Sequence, residues 1–410
     1  MAGIGFELKK IFKRRGILNY FAGAVYASAV TIGPTLMIVA ALLMLYTVLP
    51  YMEASVKNRE LFSSTLLYCF IFPMIFSTPM NAVLSRYVAD RIYLEKYDEI
   101  MPCIRTGMAV TLLAAAAAGI GFCLAEYKAG GVEPLYVFVS YCFFISMTMV
   151  FYLMTYVSIL KEYRRITLCF AVGLGIGSGA AWLWESWLQV EVTRAILYGM
   201  TLAFLIVALL LYAHLKSFFR ITTEKRTGIT GYLKKYPGLF LTNLFYVLGL
   251  YGHNFVFWTT DLQLKVAKVF LSAPSYDMAG CLAMFSNITC LVIFMTRVET
   301  EFAGKYQVYC SAVIRGSRAE IITARRAMMR VMKDEIFFLL RIQFVITTVI
   351  FTAQFSLYAL AGAPWAAVST VILLKAVAST LMMMVNLKTV RNLLPPEAAT
   401  LGLAVVSACS

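Results

Sequence analysis

Residues 103–125 read CIRTGMAVTLLAAAAAGIGFCLA, an apolar run whose one charge, Arg105, sits beside its start. A helix of this length crosses a hydrocarbon core about 30 Å thick. Its flanks are unequal. Arg86, Arg91 and Lys96 precede it, whereas the connection that follows, up to residue 134, holds Lys128 as its one basic residue. Working outward, apolar runs of similar length place further spans at 20–49, 61–85, 135–160, 166–184, 195–214, 237–260, 276–296, 336–361 and 364–386. With Met1–Asn19 and every second connection on one side, that side and the tail carry 29 of the 36 Lys and Arg residues. The opposite connections carry 6; Arg105 and Arg341, near the inner ends of their spans, are counted with the first side, and Lys375 alone lies mid-span. Acidic residues divide 13 to 8 in the same sense. Sorting of this kind puts the N-terminus in the cytoplasm of a multi-pass protein of the cytoplasmic membrane. The 14 positions of Glu397–Ser410, after Pro395-Pro396, are too few for a further crossing. The reading is therefore an all-α polytopic chain with ten complete spans and an incomplete eleventh.

Composition agrees with lipid as the solvent. The 410 residues are 61% hydrophobic and 14% charged, with mean hydropathy +0.79, where soluble domains carry about one-quarter charged residues. A pI near 9.4 raises nucleic acid as a partner. The basic residues cap the spans and form no single stripe, so anionic lipid headgroups fit better and nucleic acid is excluded. The nine cysteines show no C-x-x-C or Cys/His ligand spacing, which argues against a metal site or a disulfide framework. With His214 and His253 the only histidines, no nucleophile–base set, no Walker motif and no cofactor motif, catalysis is not expected. The basic start at Lys9–Arg15 and the Ala27-Ser28-Ala29 triplet raise a cleaved signal peptide, but apolar sequence runs on to Leu49, too far for one.

Breakers and repeats give the organisation. Gly33-Pro34 interrupts the first span, while Pro73 and Pro79 lie in the second; each is a packing kink or a hinge lining a polar cavity. Gly173, Gly175, Gly177 and Gly179 give the fifth span two overlapping small-xxx-small faces. The basic connection Lys216–Tyr236 follows six spans, so residues 1–220 and 221–410 share one orientation, as parallel repeats do. A second large connection, Arg297–Glu335, places Phe302, Tyr306, Tyr309 and Val313, then Ile321, Ala324, Met328 and Met332, at helical spacing. Arg315, Arg318, Arg325 and Arg326 surround that apolar face. It reads as a pair of interfacial helices on anionic lipid or as a docking platform for a cytoplasmic partner.

Ionisable groups within hydrocarbon cost roughly 2.5–3.5 kcal/mol at a helix centre, so each needs a reason. Lys375 lies mid-span, either facing a cavity or satisfied by carbonyls between helices. His253 and Asn254 occupy the seventh span beside Tyr246, Tyr251, Phe257 and Trp258, whose faces suit sugar rings. Arg86 and Asp90 stand four apart at the inner end of the second span, where they can pair. No Asp or Glu sits centrally in any span, which argues against a drug antiporter.

Four segments carry a family resemblance. The opening MAGIGFELKKIFKR of Met1–Arg14 resembles the N-terminus of PelG, the transporter family of Pel exopolysaccharide systems. TPMNAVLSRYVADR at Thr78–Arg91, GLYGHNFVFW at Gly249–Trp258 and TRVETEFAGKY at Thr296–Tyr306 extend the likeness over most of the chain. The resemblance implies a fold like that of the multidrug, oligosaccharidyl-lipid and polysaccharide (MOP, MATE-like) exporters, with two six-helix bundles around a cavity that opens alternately to either side. It also implies work beside a cytoplasmic glycosyltransferase similar to PelF and other Pel membrane components, moving a polymer rich in N-acetylhexosamine for biofilm. Twelve helices would continue beyond Ser410. The alternatives are a flippase for another lipid-linked oligosaccharide and a non-transporting scaffold for a polysaccharide synthase.

Overall fold

A computed structural model describes residues 33–34, 37–160, 162–219, 229–274, 276–277 and 299–361. The Met1–Arg14 motif, half of the 20–49 span, most of the 276–296 span, the 364–386 span with Lys375, and the tail lie outside the described residues.

The described chain is helical apart from one small hairpin. It runs α1 (Met37–Val48), α2 (Val56–Tyr93), α3 (Ile100–Gly130), α4 (Pro134–Ile159), α5 (Tyr163–Leu188), α6 (Val192–Phe218), α7 (Ile229–Lys235), α8 (Pro237–Phe257), β1 (Leu264–Val266), β2 (Phe270–Ser272), α9 (Glu299–Arg315) and α10 (Arg318–Ala361). Five of these, α2 to α6, are long and apolar enough to cross a membrane. They coincide with the second to sixth expected spans. Local chemistry sets their ends. Ser55 caps α2 by accepting from the Asn58 N–H at 3.2 Å, Pro134 opens α4 and Pro237 opens α8 at a first-turn position where no N–H is needed, and Glu191 caps α6 through the Arg194 N–H.

The 38 residues of α2 continue through both Pro73 and Pro79. At about 1.5 Å per residue it measures roughly 57 Å, well beyond the hydrocarbon thickness, so its last turns carry the charged residues past the apolar zone. The Ser77 hydroxyl donates to the Pro73 carbonyl at 2.7 Å, and buried Asn81 donates to Thr155 Oγ1 at 2.9 Å and to the Phe151 carbonyl at 3.3 Å, tying α2 to α4. Around that bond the core is aromatic: Phe143 and Phe170 both set their rings edge-on to Phe204, and the Tyr152 hydroxyl donates to the Ile104 carbonyl at 3.0 Å.

Helices α5 and α6 meet through glycine. A Cβ on Gly173 would lie 2.7 Å from the Ala203 carbonyl oxygen, and one on Gly199 would lie 2.5 Å from that of Gly177. Among the described residues only the 173/177 face is used this way, since a Cβ on Gly175 or Gly179 meets none of them within 4 Å. One of the two expected small-residue faces is therefore the helix contact.

The chain forms two compact units. One runs Pro34–Pro274 and holds α1 to α8 and the hairpin. In the other, α9 packs back on α10 across the break at Gly316-Ser317. That break is a capping box: Ser317 Oγ accepts from the Glu320 N–H at 3.4 Å, and Glu320 Oε2 accepts from the Ser317 N–H at 2.8 Å. The amphipathic pair expected over 297–335 is thus present. Its second helix does not stop at Glu335 but runs on without a break into the apolar 336–361 segment, 44 residues in all.

Candidate functional site

The candidate site is the seam where α2 lies antiparallel to α7 and α8. Its two ends differ in chemistry. At one end stand the charged residues of the Thr78–Arg91 motif. Arg86 Nε lies 3.4 Å from Asp90 Oδ1, so the pair expected from the four-residue spacing forms. Asp90 Oδ2 also accepts the hydroxyl of Tyr232 on α7 at 2.9 Å. Tyr87 donates to Glu99 Oε2 at 3.1 Å, Arg91 Nε pairs with the same oxygen at 3.1 Å and lays its guanidinium 4.7 Å over the Tyr87 ring, and Tyr87 meets Tyr232 edge-on at 4.9 Å. Arg86 reaches over the Tyr236 ring at 5.6 Å. Burial, and then the hydrogen bond to the Asp90 carboxylate, push the Tyr232 phenol from 10.0 up to about 12.

The other end is aromatic. Trp258, just past α8, stacks on Tyr68 of α2 with centroids 5.2 Å apart and planes 4° from parallel. Phe255 packs edge-on to Trp258 and 6.0 Å from Phe72, and the Tyr251 hydroxyl lies 3.1 Å from Met74 Sδ. The hairpin closes this end. Tyr68 Oη accepts the Leu271 N–H and donates to the Leu271 carbonyl, each at 3.0 Å, and Phe270 sets its ring edge-on to both Tyr68 and Phe122.

Several expected site residues are thereby brought together. Tyr251, Asn254 and Trp258 line the α8 side of the seam, Arg86 and Asp90 the α2 side, and His253 is half-buried beside Asn254. Trp258 is only 4% exposed, because Tyr68 occupies its face. Lys375 lies outside the described residues. Arg315, Arg318, Arg325 and Arg326 are exposed along α9 and α10, while Met328 is buried and Ile321, Ala324 and Met332 are half-buried on the opposite face.

Sequence reasoning missed four partners: Tyr68, Glu99, Tyr232 and Glu126. The first three have no local signal, since each meets its partner across a long gap in the chain or from within a short turn. Glu126 stood one residue beyond the expected 103–125 span. The helix continues to Gly130, and Glu126 is 1% exposed. The spacing of Phe122, Glu126 and Gly130, each four apart, was the available clue. Among the described residues no group of three or more His, Cys, Asp or Glu side chains is placed to hold a metal ion.

The family model PelG, described as "Putative exopolysaccharide Exporter (EPS-E)", matches residues 1–393. No curated protein and no solved structure matches the chain.

Proposed function

Since this chain belongs to the PelG family of exopolysaccharide exporters, a transporter and not an enzyme class, and among the described residues carries five helices long and apolar enough to cross a membrane, we propose that it moves Pel-type polysaccharide outward across the cytoplasmic membrane by alternating access. The observation that carries this reading is the seam with two unlike ends. An exporter of this kind needs two closures that release separately, one on each side. A stacked aromatic cluster under a hairpin at one end, and a hydrogen-bonded ion-pair network at the other, are independent devices on one helix pair. By the charge sorting of the connections, the hairpin end faces outside and the Asp90 end faces the cytoplasm.

In this reading the ten spans and their continuation form two MOP-like bundles, 1–220 and 221–410. When the hairpin end opens, Trp258 leaves Tyr68 and offers its face to a sugar ring, with Tyr251, His253, Asn254 and Lys375 as polar contacts along the path. The exposed Arg315, Arg318, Arg325 and Arg326 dock a cytoplasmic PelF-like glycosyltransferase, so the polymer enters as it is made. The apolar stripe of α9 and α10 rests on lipid beside them.

The test replaces Trp258 with Ala and Lys375 with Leu, separately, and measures surface polymer at matched protein level. Each is expected to lower export about tenfold, a barrier change of about 1.4 kcal/mol. Unchanged export in both overturns the pathway assignment.

A further inference from the structure

Glu126 is buried without an ion-pair partner among the described residues. It is 1% exposed, its Oε1 accepts no hydrogen bond, and among the described residues no Lys, Arg or His forms an ion pair with it. The ionisable groups that face it are Cys69 on α2, Cys123 on its own helix and Tyr136 on α4, whose hydroxyl lies 3.1 Å from Thr65 Oγ1; Glu191, before α6, faces Tyr136 in turn. Lys128, two residues further along α3, and Lys265 and Lys268 on the hairpin are exposed. A carboxylate buried in this way with no cation paired to it costs several kcal/mol, and the neutral acid does not.

The hairpin packs beside this group. Phe122, Glu126 and Gly130 share one face of α3, the side of its last turns that the described residues cover. Phe122 meets Phe270 at 5.1 Å, and a Cβ on Gly130 would lie 2.6 Å from the Ala267 carbonyl oxygen. The two hairpin contacts thus fall one turn before and one turn after Glu126. The hairpin turn is itself strained, with Ala267 at φ 48° and Lys268 at φ 58°, left-handed values that favour glycine.

We infer that Glu126 is a proton-binding site, which holds a proton while the hairpin is closed and exchanges it with external water when the hairpin opens, so that opening of the seam's outer end is coupled to the proton gradient. The step transfers one proton between bulk water and the Glu126 carboxylate and changes no other bond. The closed state binds the extra proton, so closure is favoured at low pH and weakens as pH rises. Because the hairpin follows α8 directly, the same opening releases Trp258 from Tyr68. The inference rests on the export reading for its direction, outside against inside, and not for the coupling itself.

The test uses the full chain in lipid nanodiscs. Backbone hydrogen exchange of residues 262–273 is compared at about pH 6 and about pH 9, with labelling times scaled for intrinsic exchange; wild type is expected to exchange about tenfold faster at the higher pH, well within the limit set by one linked proton. Glu126→Gln, which cannot ionise, is expected to keep the low-pH protection at both. An equal pH response in the variant, or none in wild type, overturns the inference. A second measurement needs no variant: dicyclohexylcarbodiimide, which takes the proton of an acid and is then attacked at its central carbon by the carboxylate, should modify wild-type Glu126 at the lower pH and not at the higher. Absence of adduct at both overturns it as well. Wild-type vesicles are also loaded with labelled polysaccharide. If neither wild type nor Glu126→Gln moves it while the hairpin keeps its pH response, the export reading fails and the proton site stands. If both export equally and no pH response exists, the proton site fails alone.

Discussion

At the scale of single residues, the seam's charged end is a contest between two contacts to one carboxylate. The Arg86–Asp90 pair is a half-buried i,i+4 contact, with side chains 24% and 34% accessible, and helix pairs of this spacing contribute about 0.3–0.5 kcal/mol. The Tyr232 hydroxyl donates to the same carboxylate from another helix, and hydrogen bonds to charged groups contribute about 1.5–3 kcal/mol before solvent screening reduces them. Tyr232→Phe is therefore expected to lower the thermal midpoint of the detergent-solubilised chain more than Arg86→Ala does, and equal losses would refute that ranking. The pH dependence follows from the same bond. The Tyr232 phenol lies at 10.0 when free and at about 12 in the fold, so its contribution is intact below pH 10 and disappears as pH rises through about 12. Thermal midpoints measured from about pH 8 to about pH 12 should fall in that window for wild type and fall less for Tyr232→Phe. Arg86 and Asp90 were legible in the sequence because helical spacing pairs them. Tyr232 was not, because 142 residues separate it from Asp90 and no local rule reaches that far.

At the scale of elements, the glycine face of α5 makes a sharp contrast. A Cβ on Gly177 would run into the backbone of Gly199 and the Cβ of Ala203, whereas one on Gly175, two residues earlier, meets none of the described residues within 4 Å. Overpacking a tight contact costs about 1–3 kcal/mol, and here the neighbour is backbone that cannot rotate away. Gly177→Val should consequently lower the midpoint by several degrees, while Gly175→Val should leave it nearly unchanged. Reversal of that order would show that the other face makes the contact. The four-residue glycine repeat announced a close helix approach but not which face makes it, since both faces carry the same spacing. The α9–α10 break was more legible than the reading made it. Ser317 and Glu320 spell a capping box, which fixes a helix start and leaves nothing to end the helix at Glu335. Hydropathy sees a polar segment followed by an apolar one, while backbone hydrogen bonding sees one continuous helix.

At the scale of the whole molecule, the sorting of charge and the packing of helices are separate lines of reasoning that meet at the hairpin. The connections at 126–134 and 261–275 fall on the same side by charge alone, both on the side poor in Lys and Arg. In the fold, these are the two segments that touch, through Gly130 and Ala267. Helix α8 runs antiparallel to α2 over nearly its full length, from Tyr236 beside Arg86 to Trp258 beside Tyr68, as two neighbouring spans of opposite direction must. Span existence was legible because five long apolar runs admit no other solvent than lipid. Pairing was not, because apolar faces carry no address; the partners are chosen by a few polar and aromatic groups spread far apart in the chain. If charge sorting has the orientation right, a cysteine at exposed Leu262 in intact cells reacts with a membrane-impermeant maleimide. A cysteine at Lys96 or Arg318 reacts only after the cells are permeabilised. The native cysteines are measured first as background, and the buried pair Cys69 and Cys103 should contribute little. Labelling of Lys96→Cys without permeabilisation would invert the protein in the membrane, put the hairpin and Glu126 on the cytoplasmic side, and reverse the direction assigned to every step at the seam.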